Sequence, residues 1–269
     1  MATCFHHPDR ETGRACTRCG RPACPDCLIQ APVGSQCFEC VNRGAPKGTV
    51  RIRQTLTRDP LIATKVIVAV TLGSFVLIAL RDHSIDGTGR TALDLGLYGP
   101  YLKSGQWWRL FTYSLVHFGL VHIAGNLLVL WIVGREFEPG TGPGRFATLY
   151  IVSVLGGAAG ALIVSGSNSF TGGASGGIFG VTAAAALVMH RRGVRFWEGI
   201  FGPLIIVNLA FGFFIANVSI GGHIGGMVAG GLTAEAMLRA RKINQPALGY
   251  LAAAFIAGAA VLIAFAVVQ

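Results

Sequence analysis

Long apolar runs separated by short polar breaks occupy the chain from about residue 61 onward. A run of roughly 20 apolar residues is long enough to cross a bilayer as a helix. Runs of about this length lie near 61–80, 112–134, 146–165, 174–190, 197–217, 220–238 and 247–268. The pattern therefore predicts an all-α, polytopic membrane protein with seven transmembrane helices.

Composition agrees with this pattern, because 52% of the 269 residues are hydrophobic and only 13% are charged. A water-soluble globule of this size could hardly hide so many apolar side chains from solvent. We therefore expect an integral membrane protein, with a bacterial plasma membrane as its location.

The first forty residues differ from the rest, because they contain all seven cysteines and no apolar run. A cleavable signal peptide is therefore not expected. An odd number of cysteines grouped in close pairs is more typical of metal ligation in a reducing compartment than of a secreted disulfide framework. We expect a cytosolic metal-binding domain over residues 1–42 and a linker over residues 43–60.

The cysteine pairs of this domain provide enough ligands for two closed, structural zinc sites. They are Cys4 with His7, Cys16 with Cys19, Cys24 with Cys27, and Cys37 with Cys40. So short a segment buries little core, so bound zinc would supply most of its folding free energy. Closed sites leave no position open for catalysis, and we expect this domain to bind a cytosolic protein or to regulate the rest of the chain.

The spacing of the pairs resembles that of B-box-like treble zinc fingers, in which alternate pairs share a metal. This resemblance implies one site of Cys4, His7, Cys24 and Cys27 and another of Cys16, Cys19, Cys37 and Cys40. Two alternatives stay open: sequential pairs that share a metal, and His6 in place of His7.

The distribution of basic residues predicts the orientation, because lysine and arginine concentrate in the cytosolic loops of membrane proteins. With the N-terminus inside and the C-terminus outside, the segments next to the spans hold twelve basic residues on the cytosolic side, and four lie in the first outer loop. The inner ones are Arg51, Arg53, Arg58, Lys65, Arg135, Arg145, Arg191, Arg192, Arg195, Arg239, Arg241 and Lys242. This topology, together with anionic lipid, accounts for the net charge of +10, and no nucleic-acid partner is expected.

Polar residues within the predicted spans are candidates for function, because they are unfavourable in a bilayer. His122 lies early in span two with Asn126 one turn further, Ser175 opens span four, and His223 opens span six. In the predicted topology all of them lie in the outer half of the membrane. Small residues four apart predict close contact between spans four and six: Gly176, Gly180 and Ala184 on one, and Gly222, Gly226 and Gly230 on the other.

These residue types are suited to serine hydrolysis. Ser175 would be the nucleophile and His223 its general base. His122, Asn126 and the Ser175 amide would donate hydrogen bonds to the oxyanion. A pair of membrane aspartates and an H-E-x-x-H motif are both missing from the sequence, so aspartyl and zinc proteolysis are not expected. Without a neighbouring acid the site would be a dyad, and it would need no catalytic cofactor.

Three stretches of the sequence resemble the rhomboid intramembrane serine proteases over about residues 61–240. They are Gly173-Ala174-Ser175-Gly176, Gly222-His223-Ile224-Gly225-Gly226 and the run from His117 to Asn126; Trp108-Arg109 also looks like the family's tryptophan-arginine motif. The resemblance implies a six-helix protease core over 61–240 that cleaves transmembrane substrates, with 247–269 as an additional helix. It also implies that span five, with Phe211, Phe213 and Phe214, lines a lateral substrate entrance, although lipid-facing aromatics explain these residues equally well.

One departure concerns Phe179, where many family members have a tyrosine. A phenyl ring can stack on His223 but offers no hydroxyl group, so the imidazole would be less firmly oriented. Two other functions compete with proteolysis: a catalytically inactive relative that binds membrane clients, and a transporter. The apolar inner halves of spans four and six argue against a transport path.

Overall fold

The structure is a computed structural model that describes residues 2–30, 34–44, 59–212 and 218–269. The chain divides into two compact units, Met1–Arg58 and Asp59–Gln269. Most of the predicted linker, with Arg51, Arg53 and Arg58, lies outside the described residues, as do Phe213 and Phe214 and the side chain of Phe211.

The described part of the N-terminal unit contains two small hairpins, a 3-10 turn at Pro25–Cys27 and a short helix. Strands β1 (Ala2–Thr3) and β2 (Glu11–Thr12) pair antiparallel, as do β3 (Leu28–Gln30) and β4 (Ser35–Cys37), and α1 spans Phe38–Gly44. Its two small cores consist mainly of cysteines, with Phe5 and Leu28 packed against both. A domain with so few apolar side chains requires another source of stability.

The second unit is helical. Its long helices are α2 (Ile62–Asp82), α6 (Gly119–Thr141), α7 (Pro143–Ser165), α8 (Ser175–Arg191), α9 (Phe201–Gly212), α10 (Ile220–Lys242) and α11 (Pro246–Val268). Between α2 and α6 the chain forms the short helices α3 (Arg90–Leu95), α4 (Gly99–Lys103) and α5 (Arg109–Thr112), and a 3-10 turn at Tyr113–Leu115. All seven predicted spans thus contain a helix within the described residues.

By length and composition, four of the described helices can cross a membrane: α2, α6, α7 and α11. Helix α8 has 17 residues, and α9 has 12 in its described part. Helix α10 ends in charged residues, among them Arg239, Arg241 and Lys242. A polytopic membrane protein is therefore confirmed, whereas the count of seven spans stays a prediction.

The start of the second predicted span, near residue 112, is wrong, because α6 begins at Gly119. The preceding apolar residues belong to α5 and the 3-10 turn, where Leu110 and Tyr113 are each only 2% exposed. Hydropathy does not distinguish a side chain buried in protein from one that faces lipid. The run of apolar residues therefore extended the predicted span into a packed loop.

Helix α7 is central to the bundle, because 67% of its apolar stretch is buried, against 22% in α2 and in α11. Close backbone contacts join α7, α8 and α10. A methyl group on Gly226 of α10 would lie 2.1 Å from the Gly176 carbonyl oxygen of α8, and one on Gly160 of α7 would lie 2.3 Å from the Gly221 carbonyl oxygen. The structure thus contains the predicted contact between spans four and six, and it adds a third helix that the sequence did not indicate.

Candidate active site and metal clusters

Ser175 is the first residue of α8 and follows a sharply constrained loop. Gly173 has φ +131°, a conformation that L side chains rarely adopt. Its N–H donates to the Tyr113 carbonyl oxygen at 2.9 Å, and the next N–H, of Ala174, donates to His117 Nε2 at 3.4 Å. These bonds fix the residues just before the serine.

His223 lies one turn into α10, and its Nε2 is 2.9 Å from Ser175 Oγ. The Ser219 hydroxyl caps this helix by accepting from the Gly222 N–H at 3.1 Å. The ring of Phe179 stacks on the imidazole with centroids 4.1 Å apart. Among the described residues His223 Nδ1 is buried without a hydrogen-bond partner, as expected where phenylalanine replaces tyrosine.

His122 and Asn126 lie on α6 and are both buried. His122 Nδ1 accepts from the Phe118 N–H at 3.3 Å, so in a neutral ring Nε2 carries the proton. This Nε2 lies beside Gly173: a methyl group there would be 3.0 Å from it and 3.7 Å from Ser175 Oγ. The Asn126 amide donates to the His122 carbonyl oxygen at 3.1 Å, which leaves its second N–H for another acceptor.

The four candidate residues line a single cavity of about 300 Å³ between α6, α8 and α9. Most of its remaining wall is apolar, with side chains such as Leu128, Ile178 and Leu204. The cavity therefore combines a hydroxyl-imidazole pair and fixed hydrogen-bond donors with a lining that suits an apolar chain.

Two residues that hold the serine loop were not identified as such from the sequence. The Tyr113 hydroxyl donates to the Val154 carbonyl oxygen of α7 at 2.7 Å, and its own carbonyl oxygen accepts from Gly173. His117 accepts from the Ala174 N–H through Nε2, and its Nδ1 lies 3.4 Å from the Leu115 carbonyl oxygen. An aromatic residue and a second histidine just before the His122 motif were the available signals.

Arg109 of the tryptophan-arginine pair organises the segment between α2 and α6. Its guanidinium donates to the carbonyl oxygens of Leu93 and Gly96, each at 2.6 Å, and lies over the Tyr101 ring. Trp108 is 40% exposed. The bonds of Arg109 and the exposure of Trp108 agree with a role for this pair in anchoring the segment between α2 and α6.

Glu138, near the C-terminal end of α6, is fully buried and caps the start of α2. Its carboxylate accepts from the N–H groups of Ala63 and Thr64, both at 2.8 Å, and from the Thr64 hydroxyl at 2.5 Å. A carboxylate is well suited to the unpaired amides of a helix N-terminus. This contact joins the end of α6 to the start of α2 and gives Glu138 a role in helix packing.

The N-terminal unit brings its ligands together in two clusters, in each of which the ligand atoms lie within 4.8 Å of one another. They are Cys4, His7, Cys24 and Cys27, and Cys16, Cys19, Cys37 and Cys40. Alternate pairs are thus combined and sequential pairs are not. His7 Nδ1 lies 3.4 Å from Cys27 Sγ, whereas His6 lies near Glu39.

The chemistry of these ligands fits a metal ion. Hydrogen bonds from backbone N–H groups, of which that of Cys37 has the largest effect, lower the pKa of Cys16 to about 6. Burial raises the pKa of Cys40 to about 12. Thiolates this close repel one another unless a cation lies between them, and four sulfur or nitrogen donors are the ligand set that Zn²⁺ prefers. Both clusters could therefore hold a metal ion.

Comparisons with known proteins add evidence on the membrane unit. A family model described as the Rhomboid domain matches residues 104–240, which include all four candidate active-site residues. The chain is 37% identical over 139 residues to rhomboid protease GluP of Bacillus subtilis, a match that covers 51% of this chain and 27% of that relative. It is 28% identical over 201 residues to rhomboid protease GlpG of Yersinia pestis, covering 72% of this chain and 69% of that relative.

Proposed function

The chain belongs to the rhomboid family of intramembrane serine proteases, and from this premise we propose that it cleaves transmembrane substrates with Ser175 as nucleophile and His223 as general base. The chain spans about a quarter, 27%, of the length of the GluP relative. The activity of that longer protein is therefore a proposal for this chain. The observation that carries the proposal is the 2.9 Å contact between Ser175 Oγ and His223 Nε2 beside the cavity.

Proton transfer begins the reaction. As Ser175 Oγ attacks the scissile carbonyl carbon, its proton moves to His223 Nε2, and the carbonyl oxygen becomes negatively charged. Stacking on Phe179 holds the imidazole plane, which leaves the ring nitrogen directed at the hydroxyl. Because no acid contacts His223 in the described residues, the pair acts as a dyad.

The negative oxygen requires fixed donors, since apolar walls cannot solvate it. His122 Nε2–H, which lies beside Gly173, the free N–H of Asn126 and the Ser175 amide at the start of α8 provide them. The other N–H of the Asn126 amide donates to the His122 carbonyl oxygen of the same helix, which holds the amide in place. These groups are oriented before the substrate arrives.

Collapse of the tetrahedral intermediate breaks the peptide C–N bond. His223 returns its proton to the leaving nitrogen, and the acyl group remains as an ester on Ser175. A water molecule then attacks the ester carbon as His223 takes one of its protons. Release of the carboxylic acid returns that proton to Ser175 Oγ.

The N-terminal clusters lie outside the family match, and we propose that both hold structural zinc. Closed clusters leave no coordination position for a substrate, so the membrane unit would carry out catalysis without metal. We further propose that this domain lies in the cytosol, binds a protein partner there and precedes a plasma-membrane core whose C-terminus lies outside. The boundaries 1–42, 43–60, 61–240 and 247–269 belong to this proposal.

A cleavage assay in liposomes tests the activity. Wild type should cut members of a panel of transmembrane segments, and Ser175→Ala should remove cleavage. Ser169→Ala, in the loop before α8, is the matched control and should leave the rate unchanged. Cleavage that survives Ser175→Ala would reject this serine as nucleophile; an inactive wild type would favour a client-binding relative or a transporter.

The partnership within the dyad has a separate test. His223→Ala should lower turnover about as far as Ser175→Ala, and the double variant should be scarcely worse than either single one. Residues that act as one unit are strongly non-additive in this way. Losses that multiply in the double variant would show that the two residues act independently.

A further inference from the structure

The cavity contains two polar side chains that the proposed reaction does not use. Thr182 of α8 and Asn208 of α9 both line it, among residues such as Ile178, Leu204 and Val207. Lipid and apolar side chains offer no hydrogen bonds, so a polar group in such a wall is unfavourable and indicates a function.

Both side chains retain hydrogen-bonding capacity that a substrate could use. The Thr182 hydroxyl donates to the Ile178 carbonyl oxygen at 2.6 Å, and the Asn208 amide donates to the Leu204 carbonyl oxygen at 2.8 Å. Each side chain thus bonds to its own helix through one donor. The Asn208 carbonyl oxygen has no partner among the described residues, and the Thr182 oxygen retains its lone pairs.

The position of Thr182 on α8 indicates where these two polar side chains lie relative to the scissile bond. It lies two turns after Ser175, so its Cα is about 10 Å further along α8, away from the end that bears the nucleophile. A substrate chain that passes Ser175 and continues along the cavity would therefore meet Thr182 and Asn208 several residues from the cut. Only the side chain of such a residue, or a backbone N–H freed from its helix, could donate to them.

We propose that Asn208 and Thr182 form a specificity subsite for a side chain with an O–H or N–H donor, on the membrane-interior side of the scissile bond. This inference rests on the proposed protease function and adds the substrate class that the cavity selects. The subsite favours segments with one threonine, serine, asparagine or glutamine at that depth over fully apolar segments. Its main acceptor is the Asn208 carbonyl oxygen, which has no partner among the residues that the structure describes.

A scan with isosteric side chains provides the test. A single threonine is moved through the interior side of a cleaved transmembrane segment, and each version is compared with valine at the same position. Both residues are β-branched, so the helix propensity of the substrate changes little. In wild type, kcat/KM for the threonine version should be about five- to tenfold higher at one position, the ratio that one net hydrogen bond provides.

Variants then assign this preference to the subsite. Asn208→Leu should reduce the threonine-to-valine ratio towards one, and Thr182→Val should reduce it in part. Ile206→Leu, on the same helix but outside the cavity lining, is the matched control and should retain the ratio. The rate of Ser175 labelling by a fluorophosphonate verifies that each variant is folded, and Asn208→Ala replaces any leucine variant that fails this check.

The outcomes separate this inference from the proposed function. Equal cleavage of threonine and valine versions by wild type at every position would overturn the subsite and leave the protease intact. A ratio that persists in both Asn208→Leu and Thr182→Val would also overturn it. Failure of wild type to cleave any segment or to react with the fluorophosphonate would instead reject the proposed function.

Discussion

The two units of this chain bring distant residues together in opposite ways. In the N-terminal unit, eight ligand side chains converge within two clusters that have little apolar core around them. In the membrane unit, Ser175 and His223 are 48 residues apart and meet because glycines let α7, α8 and α10 approach closely. The first arrangement would depend on bound metal. The second depends on glycines, whose lack of a side chain lets the helix backbones approach.

This difference predicts where each unit can be broken. Removal of metal should damage the first unit only, and added volume at a helix contact should damage the second. Groups that line the cavity without supporting the fold should have intermediate effects on turnover.

The largest effect is expected from added volume at the α8–α10 contact. Gly226→Leu should abolish cleavage, because even a methyl group there would lie 2.1 Å from the Gly176 carbonyl oxygen. Overpacking of this kind typically destabilises a core by about 1–3 kcal/mol and would move His223 away from Ser175. Cleavage and thermal unfolding in detergent measure both consequences.

Gly231→Leu is the matched control for this prediction. It lies on the same helix, but a methyl group there meets nothing within 4 Å. This variant should retain activity and stability. Equal loss in both variants would mean that α10 tolerates no large residue anywhere, and equal retention would mean that the glycine contact does not position the dyad.

A smaller effect is expected from Asn126→Ala. Loss of one oxyanion donor should lower kcat roughly ten- to a thousandfold, with little change in substrate binding, because His122 and the Ser175 amide remain. Single-turnover kinetics would separate the two parameters. A rise in KM with unchanged kcat would instead assign Asn126 to substrate binding.

The smallest effect on cleavage is expected from removal of metal. In the full-length protein, a strong chelator should make residues 1–44 sensitive to proteolysis while the cleavage rate stays within about twofold, since closed structural sites contribute to folding and not to chemistry. Native mass spectrometry before chelation should show the mass of two zinc ions. Loss of cleavage on chelation would contradict the independence of the two units, and a single tightly bound ion would reject the two-site assignment.

Much of this architecture could be predicted from the sequence because its signals are local. Apolar runs locate the helices, and the cysteine spacing locates the ligands. The family prediction, which rested on the motifs around Ser175 and His223, is confirmed by the match over residues 104–240.

What escaped prediction depends on contacts between distant segments. The central position of α7 arises from packing against α8 and α10, and its glycines resemble those of any membrane helix. The roles of Tyr113 and His117 depend on backbone groups about sixty residues further along the chain. Asn208 was not singled out in its apolar run, because a hydrophobic pattern does not show which face of α9 meets the cavity.

Fluorophosphonate labelling of Ser175 is the most direct test of the central claim, that glycine-packed helices in the membrane unit hold an activated serine against His223. Peptide mapping by mass spectrometry should locate the label on Ser175 in wild type and in His122→Ala, because His223 remains to accept the proton. Labelling should be lost in His223→Ala. Labelling retained in His223→Ala and lost in His122→Ala would contradict the account and exchange the roles of the two histidines.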